Sequence, residues 1–173
     1  MEQSPEQGSA LIADWLRRVR ENQYVHYETG AFFSRLNYYL GIPSIILSAA
    51  VGTAVFESLN GEGISPNVKI VLGCISILAA VLTSLQTFLR FSERASEHRA
   101  SGAGFGATRR LLECLKTYPP TDVPEMKRAL DEVRAQMDKL AFESPEVPSR
   151  LKKKFDGQVT ERLAKATQPR SGS

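Results

Sequence analysis

Two histidines, His26 and His98, are the side chains of this 173-residue chain best suited to proton transfer. Neither lies at metal-ligand spacing from another histidine or an acidic side chain. Glu97 adjoins His98, but successive residues of a helix do not face each other. We therefore interpret His98 as a polar residue of a helix interface, with a pH-sensing role left open. Because no nucleophile–base pair is evident, we do not expect an enzyme.

Three glycines, Gly102, Gly104 and Gly106, form the only sequence that resembles a nucleotide loop. A dinucleotide fingerprint needs a preceding strand and its third glycine one residue later, and a Walker A loop ends in Gly-Lys-Ser/Thr. Neither condition is met, so we expect the glycines to admit a neighbouring helix or to soften their own. Cys74 and Cys114 lie 40 residues apart, which fits no disulfide framework or zinc motif. No cofactor or metal is expected.

Lys152, Lys153 and Lys154 form a small basic cluster, which we interpret as a solvated face. Contact with anionic lipid is the alternative. No aromatic side chains are interleaved with these lysines to stack on bases, so direct nucleic-acid binding is not expected.

Two long runs of the chain consist of uncharged residues. Leu36–Phe56 comprises 21 such residues and Ile70–Leu89 comprises 20, although charged residues make up 24% of the chain. Helices of these lengths measure about 30 Å, which matches the hydrocarbon core of a bilayer. A soluble helix normally keeps a polar face, and neither of these runs has a charge on any face. We predict two transmembrane helices, the first with a bend or a start at Pro43.

The segment between the runs, 57–69, is rich in glycine and asparagine and is predicted to be an external loop. Arginines precede the first run and follow the second, whereas the loop has only Lys69. The positive-inside rule then places both termini in the cytoplasm. The prediction is a multi-pass protein of a bacterial inner membrane.

The remaining segments are predicted to be helical, so the fold class is all-α: a transmembrane hairpin with a cytoplasmic helical region. Ile12, Trp15, Leu16 and Val19 line one side of an amphipathic helix. A second seam, in which apolar residues recur at steps of four and three, runs from Met126 to Leu140. The helix after Leu89 is expected to continue without a break. The predicted segments are a disordered lead 1–9, an amphipathic helix 10–35, transmembrane helices 36–56 and 70–89, a juxtamembrane helix 90–117, C-terminal helices 121–167 and a disordered tail 168–173.

Small residues recur at helical spacing inside both spans. The stripes comprise Gly41, Ser44, Ser48 and Gly52 in the first span and Gly73, Ser76, Ala80, Thr83 and Thr87 in the second. Ile75, Leu78, Leu82, Leu85 and Leu89 form a large apolar face of the second span. Membrane helices associate through small residues that permit close packing. The stripes either pack against each other within one hairpin, or join neighbouring copies or line an aqueous path.

The stretches YYLGIPSIILSAAVGTAVF and LQTFLRFSERASEHRASGAGFGATRRLLE resemble the SLATT family of two-transmembrane bacterial proteins. The resemblance covers 36–115, about half the chain. It depends on Gly41-Ile42-Pro43, on Gly52-Thr53 with Phe56, and on Arg94, His98 and Arg99.

The resemblance implies an effector of nucleotide-centred conflict systems that assembles, permeabilises the inner membrane and stops infected cells. Family members occur beside nucleotidyltransferases that make signalling oligonucleotides, SLOG nucleotide sensors or reverse transcriptases. No fused sensor is visible, so we expect a signal to arrive through a separately encoded partner or the chain's own helices.

The resemblance and the two predicted spans together imply a homo-oligomeric membrane effector that contacts lipid and forms pores. Arg94, His98, Arg99, Gly102 and Gly104 are the candidate transmission residues between soluble helices and membrane. The alternative is a membrane-anchored helical adaptor that tethers a partner protein without forming a pore.

Overall fold

The computed structural model describes residues 5–59 and 65–155, and within these ranges it contains helices and no strand. Residues 149–155 are also helical. The four long helices are α1 (Pro5–Leu59), α2 (Pro66–Leu89), α3 (Phe91–Thr117) and α4 (Val123–Glu143). The all-α prediction is confirmed for the described residues.

The chain divides into two compact units, which we name by their composition. The span unit is Phe32–Ala95, and the polar unit comprises the described parts of Met1–Ala31 and Ser96–Ser173. Each unit has a hydrophobic core of its own.

Helix α1 is longer at both ends than the sequence analysis predicted. It begins at Pro5, so residues 5–9 are helical and do not belong to a disordered lead. Proline suits a first helical turn because its missing N–H would have no intrahelical partner there. Pro43 lies inside α1, so the helix does not start at this residue. Since lipid offers no hydrogen bonds to the backbone, an apolar segment gains by remaining helical across one proline.

The predicted loop 57–69 is shorter in the structure, because α1 extends to Leu59 and α2 begins at Pro66. Residues 60–64 lie outside the described part. Helix α2 ends at Leu89, and α3 ends at Thr117, the second of these as predicted.

The expected continuity between α2 and α3 is wrong, because the helix is interrupted at Arg90. This residue adopts the left-handed conformation, with φ 49° and ψ 40°. For a residue other than glycine that conformation costs about 1–2 kcal/mol. Two contacts of the span unit offset the cost: Phe91 stacks on Phe33 with ring centroids 6.1 Å apart, and Arg90 pairs with Glu93.

The core of the polar unit confirms two predicted helix faces. Ile12, Leu16 and Val19 of α1 are buried, with Trp15 packed against them. The opposing buried side chains come from α3 and α4, and they are Phe105, Leu112 and Val133, with Leu130, Met137 and Leu140 beside them. The seam of α4 thus packs into the core as its spacing predicted.

A second cluster of the polar unit joins α1 to the C-terminal segment. Phe155 is buried against Val25, and its ring meets that of Tyr24 edge to face at 6.5 Å. The part of the predicted C-terminal helices after residue 155, and the tail 168–173, lie outside the described residues.

Candidate functional site

Most of each uncharged run is exposed, which is the opposite of what an interior helix of a soluble protein shows. The most apolar windows of the two runs have mean hydropathies of 1.8 and 2.3, and 6% of each is buried. Ile45 of α1 is 70% exposed and Phe88 of α2 is 82% exposed. Apolar surfaces of this extent are normally covered by lipid or by another chain. Two helices are therefore long and apolar enough to cross a membrane.

Hydroxyl groups of the two spans are hydrogen-bonded within their own helices. Ser44 donates to the carbonyl of Leu40 at 2.8 Å, and Thr83 donates to that of Ala79 at 2.9 Å. Thr53, Ser76 and Thr87 make the same bond to the carbonyl four residues earlier. These side chains therefore carry no unsatisfied donor into an apolar environment.

The small stripe of α1 is divided between packed and exposed positions. Gly41 and Ser44 are buried, whereas Ser48 and Gly52 are exposed. A Cβ atom at Gly52 would meet nothing within 4 Å. The two helices of the span unit are thus close at one end of the stripe, and the other end is open.

The small stripe of α2 is mostly exposed. Ser76 is half-buried, but Gly73, Ala80, Thr83 and Thr87 are exposed. A groove of ≈ 500 Å³ lies between α1 and α2, and it is lined by Ser48, Val51, Gly52, Ser76, Ala79, Ala80, Thr83 and Ser84. The stripes meet at this groove, and most of their residues remain exposed there.

The large apolar face assigned to α2 also needs correction. The buried residue of α2 is Ala79, which was not assigned to that face. The half-buried Ile75, Leu82 and Leu89 of the face lie beside it. Leu78 and Leu85 of the same assigned face are exposed. Part of this face therefore packs inside the span unit, and the rest of it is exposed.

An amide pair that the sequence analysis missed connects the two spans. Gln86 Nε2 donates to Asn37 Oδ1 at 3.0 Å. Gly41 gives the glutamine side chain its space, because a Cβ there would lie 2.9 Å from Nε2. The two runs were defined by the absence of charged residues, and that criterion does not register neutral amide side chains. The available signal was a glutamine and an asparagine inside otherwise apolar runs.

The structure also brings together the two histidines, which the sequence analysis treated as unrelated. The Nδ1 atoms of His26 and His98 lie 3.1 Å apart, and the side chains are 5% and 2% exposed. The ring of Phe105 stacks on His26 with centroids 5.5 Å apart. No sequence signal could have found a contact between residues 72 positions apart.

Burial determines the proton affinity of both histidines. The pKa of His26 falls from 6.5 to about 4. Burial is the larger cause of this shift, and the charge of His98 is the smaller cause. Burial also lowers the pKa of His98, and Glu97 opposes that effect. Desolvation disfavours the charged imidazole, so the pair is neutral near pH 7.

The other candidate transmission residues do not form one site. Arg94 lies over the Phe33 ring of the span unit at 5.9 Å, and Arg99 is exposed. Gly102 packs on the ring of Tyr27, where a Cβ would lie 3.2 Å from Cγ. Helix α3 is continuous across the glycines, and Gly102 lies at a packing position against Tyr27.

Gly104 and Gly106 make similarly close contacts in the polar unit. A Cβ at Gly104 would lie 2.5 Å from Cδ2 of Leu140, and one at Gly106 would lie 2.8 Å from Nε2 of Gln23. Alanine at Gly102 or Gly104 would therefore place a methyl group against a neighbouring side chain, which opposes the gain in helix propensity.

No group of three or more His, Cys, Asp or Glu side chains in the described residues is arranged to hold a metal ion. The two cysteines are exposed and unpaired with each other. The expected lack of a cofactor stays a prediction.

Compared with models of protein families, with curated proteins and with solved structures, the chain has no match. The likeness to the SLATT family therefore rests on the sequence stretches quoted above.

Proposed function

We propose that the chain is a two-span integral membrane protein with both termini in the cytoplasm. The exposed apolar surfaces of α1 and α2 support insertion, since water would disfavour them. The distribution of basic residues supports the orientation: Arg17, Arg18, Arg20 and Arg35 precede the first span, Arg90, Arg94, Arg99, Arg109 and Arg110 follow the second, and Lys69 is the one basic residue between them.

Insertion is tested by fractionation. The protein should remain with membranes after carbonate extraction, and a tag at either end should resist protease added outside spheroplasts. A carbonate-soluble protein, or a digested terminal tag, contradicts this topology.

The proposed activity is permeabilisation of the bacterial inner membrane by a homo-oligomer. The observation that carries it is the small stripe of α2, in which Gly73, Ala80, Thr83 and Thr87 remain exposed. Small side chains let a neighbouring helix approach closely in lipid. Because two helices cannot enclose water, a pore requires several hairpins around a common axis.

The weakly polar groups of the groove are consistent with this activity. Ser48, Ser76, Thr83 and Ser84 line it together with glycine and alanine. The resemblance to the SLATT family adds the context of an anti-phage system in which a separately encoded synthase, sensor or reverse transcriptase supplies the signal.

A membrane-anchored adaptor is the second candidate, and one observation favours it. The polar unit exposes large apolar side chains: Phe142 is 92% exposed, Tyr118 80% and Val123 75%. Exposed apolar side chains bind a partner protein where they form one continuous patch. In this case the hairpin would only anchor the polar unit.

Inducible expression in a bacterium, followed with a potential-sensitive dye, discriminates between the two functions. A pore-forming oligomer should collapse the membrane potential, and the loss should steepen as expression rises because assembly depends on subunit concentration. A membrane potential that is unchanged at every expression level, with the protein present in the membrane, contradicts permeabilisation and favours the adaptor.

A further inference from the structure

Two contacts fix the level at which α1 meets the end of α2 and the start of α3 inside the span unit. Asn37 of α1 accepts a hydrogen bond from Gln86 of α2 at 3.0 Å. Phe33, one turn earlier in α1, stacks on Phe91 of α3 with ring centroids 6.1 Å apart. Residues between these two contacts therefore lie at one level along the helices, at the end of the span unit where the first uncharged run begins and the second ends.

Arg35, Arg90 and Arg94 all lie at this level, and all three are exposed. Arg35 falls between the two contact residues of α1, and Arg90 directly precedes Phe91. The guanidinium carbon of Arg94 lies 5.9 Å from the centre of the Phe33 ring. Since Arg35 follows Phe33 by two residues, it points to the opposite side of α1. The three arginines thus surround this end of the span unit and do not form one pocket.

The net charge at this end of the span unit is positive. The three arginines are accompanied by one acidic residue, Glu93, which gives a net charge of +2, whereas the segment between the spans has two glutamates and one lysine. Glu93 pairs with Arg90. Within the part of the chain that the structure describes, no acidic side chain pairs with Arg35 or Arg94. Guanidinium N–H groups match the oxygens of a phosphate, so these side chains suit an anionic phosphate ligand.

Exposed tyrosines place this level at the interface of a bilayer. Tyr38 and Tyr39 follow Arg35 by three and four residues, so they lie beside it on the helix, and they are 62% and 74% exposed. Tyrosine rings are enriched where the hydrocarbon core meets the lipid headgroups. Arg35 precedes both tyrosines and lies farther from the uncharged run. Its guanidinium is therefore at the depth of the lipid phosphates.

The backbone of Arg90 is a separate indication that an arginine is needed at this level. Its left-handed conformation, with φ 49°, is one that glycine adopts without steric cost. A costly backbone conformation at a residue other than glycine is frequent where the side chain has a function. The Arg90 side chain is 68% exposed, so packing inside the protein does not account for it.

We propose that Arg35, Arg90 and Arg94 form an arginine girdle that binds the phosphate groups of anionic phospholipids around this end of the span unit. The inference rests on the proposed insertion into a membrane and adds the class of lipid that the protein selects. An anionic lipid keeps its negative charge beside the girdle. A zwitterionic lipid such as phosphatidylcholine carries an ammonium group next to the same phosphate, which the arginines repel.

Spin-labelled lipids test the girdle, with the full chain reconstituted in phosphatidylcholine bilayers. Trace phosphatidylglycerol or phosphatidylcholine carries the same labelled acyl chain, and the motionally restricted fraction of its spectrum measures contact with the protein. We expect phosphatidylglycerol to be preferred by about fivefold, the effect of about one basic residue per lipid. In about 1 M salt, which shortens the Debye length to about 3 Å, the preference should fall below about twofold. Equal association of the two lipids at low salt overturns the inference.

Variants assign the preference to the girdle. Arg35→Gln has no described side-chain contact to lose, so it should fold normally and lower the preference. The double variant Arg35→Gln with Arg94→Gln should lower it below about twofold. Arg90→Gly should also lower it, although glycine suits the left-handed backbone better, and this result separates lipid binding from folding. A wild-type preference in the double variant overturns the inference.

The matched control is Arg110→Gln, which removes the same charge from an exposed position of the polar unit. It should keep the preference of about fivefold, because the effect of a basic residue on lipid is confined to about one Debye length. An equal loss in Arg110→Gln and Arg35→Gln would mean that only the net charge of the protein matters, and it overturns the girdle.

The same spectra distinguish failure of the girdle from failure of the proposed insertion. A motionally restricted component of labelled phosphatidylcholine shows that the protein contacts acyl chains. When this component is present and the two lipids associate equally, the girdle is contradicted and insertion stands. When neither lipid shows a restricted component, insertion is contradicted, and the girdle with it.

Discussion

Gln86 and Asn37 form a side-chain hydrogen bond between the two apolar helices, with Nε2 donating to Oδ1 at 3.0 Å. Gly41 leaves the space that this bond requires. Where lipid excludes water, an amide pair of this kind fixes the register of two helices whose apolar surfaces alone would slide. We interpret it as the contact that defines the hairpin before any assembly.

Replacing both amides tests this contact. Gln86→Met and Asn37→Leu should each destabilise the hairpin, and a double-mutant cycle should give a coupling of about 0.6 kcal/mol, typical of membrane hydrogen bonds. Unfolding in a titration from mild detergent into SDS, followed by circular dichroism, measures the four stabilities. Additive effects of the two substitutions would mean that the bond does not stabilise the hairpin.

Gly104→Ala tests the packing of α3 on α4. Helix propensity alone predicts a gain of about 1 kcal/mol, but a Cβ at this position would lie 2.5 Å from Cδ2 of Leu140. Overpacking typically costs about 1–3 kcal/mol, so we expect a net loss of about 1 kcal/mol. The single tryptophan, Trp15, packs against the same core, and its fluorescence reports chemical denaturation of the polar unit.

Two further variants serve as controls for that measurement. Leu140→Val removes the atom that the new methyl group would meet, so it should restore part of the stability of Gly104→Ala. Gly8→Ala adds a Cβ that meets nothing within 4 Å, so it should not destabilise the protein. A Gly104→Ala protein more stable than the wild type contradicts the packing described for α3.

Arg90→Gly tests the interruption between α2 and α3. Glycine adopts the left-handed conformation of residue 90 without steric cost, so this variant should be more stable by about 1 kcal/mol. The loss of the exposed ion pair with Glu93 should reduce that gain. Arg99→Gly, at an exposed position inside α3, should cost about 1 kcal/mol. Thermal unfolding in detergent compares the two. An equal cost for both substitutions would indicate a helix that continues through Arg90.

Features that depend on local periodicity could be predicted from the sequence. The buried side of α1 around Leu16 and Val19 and the seam of α4 around Val133 follow from apolar spacing alone. The end of α3 at Thr117 follows from the prolines after Tyr118.

Features that depend on distant contacts could not be predicted. The His26–His98 pair and the Gln86–Asn37 bond join residues 72 and 49 positions apart, and no local pattern encodes such pairings. The left-handed Arg90 was missed because glycine or asparagine is the usual residue of that conformation. Its stabilising contact, Phe91 on Phe33, is again distant in sequence.

The central claim is that copies of the chain assemble through the exposed small stripe of α2, and Ala80→Leu tests it most directly. Ala80 is exposed and lines the groove, so a leucine should separate neighbouring backbones and leave the hairpin itself intact. The matched control is Val81→Leu, at a neighbouring position that is 57% exposed and outside that groove. Both substitutions keep the segment apolar, so membrane abundance should be normal in each case.

The decisive measurement combines chemical cross-linking in membranes with the membrane potential of the same cells. We predict that Val81→Leu behaves as the wild type, whereas Ala80→Leu loses cross-linked oligomers and no longer collapses the potential. An Ala80→Leu protein that is fully oligomeric and collapses the potential at normal abundance would contradict assembly through this stripe.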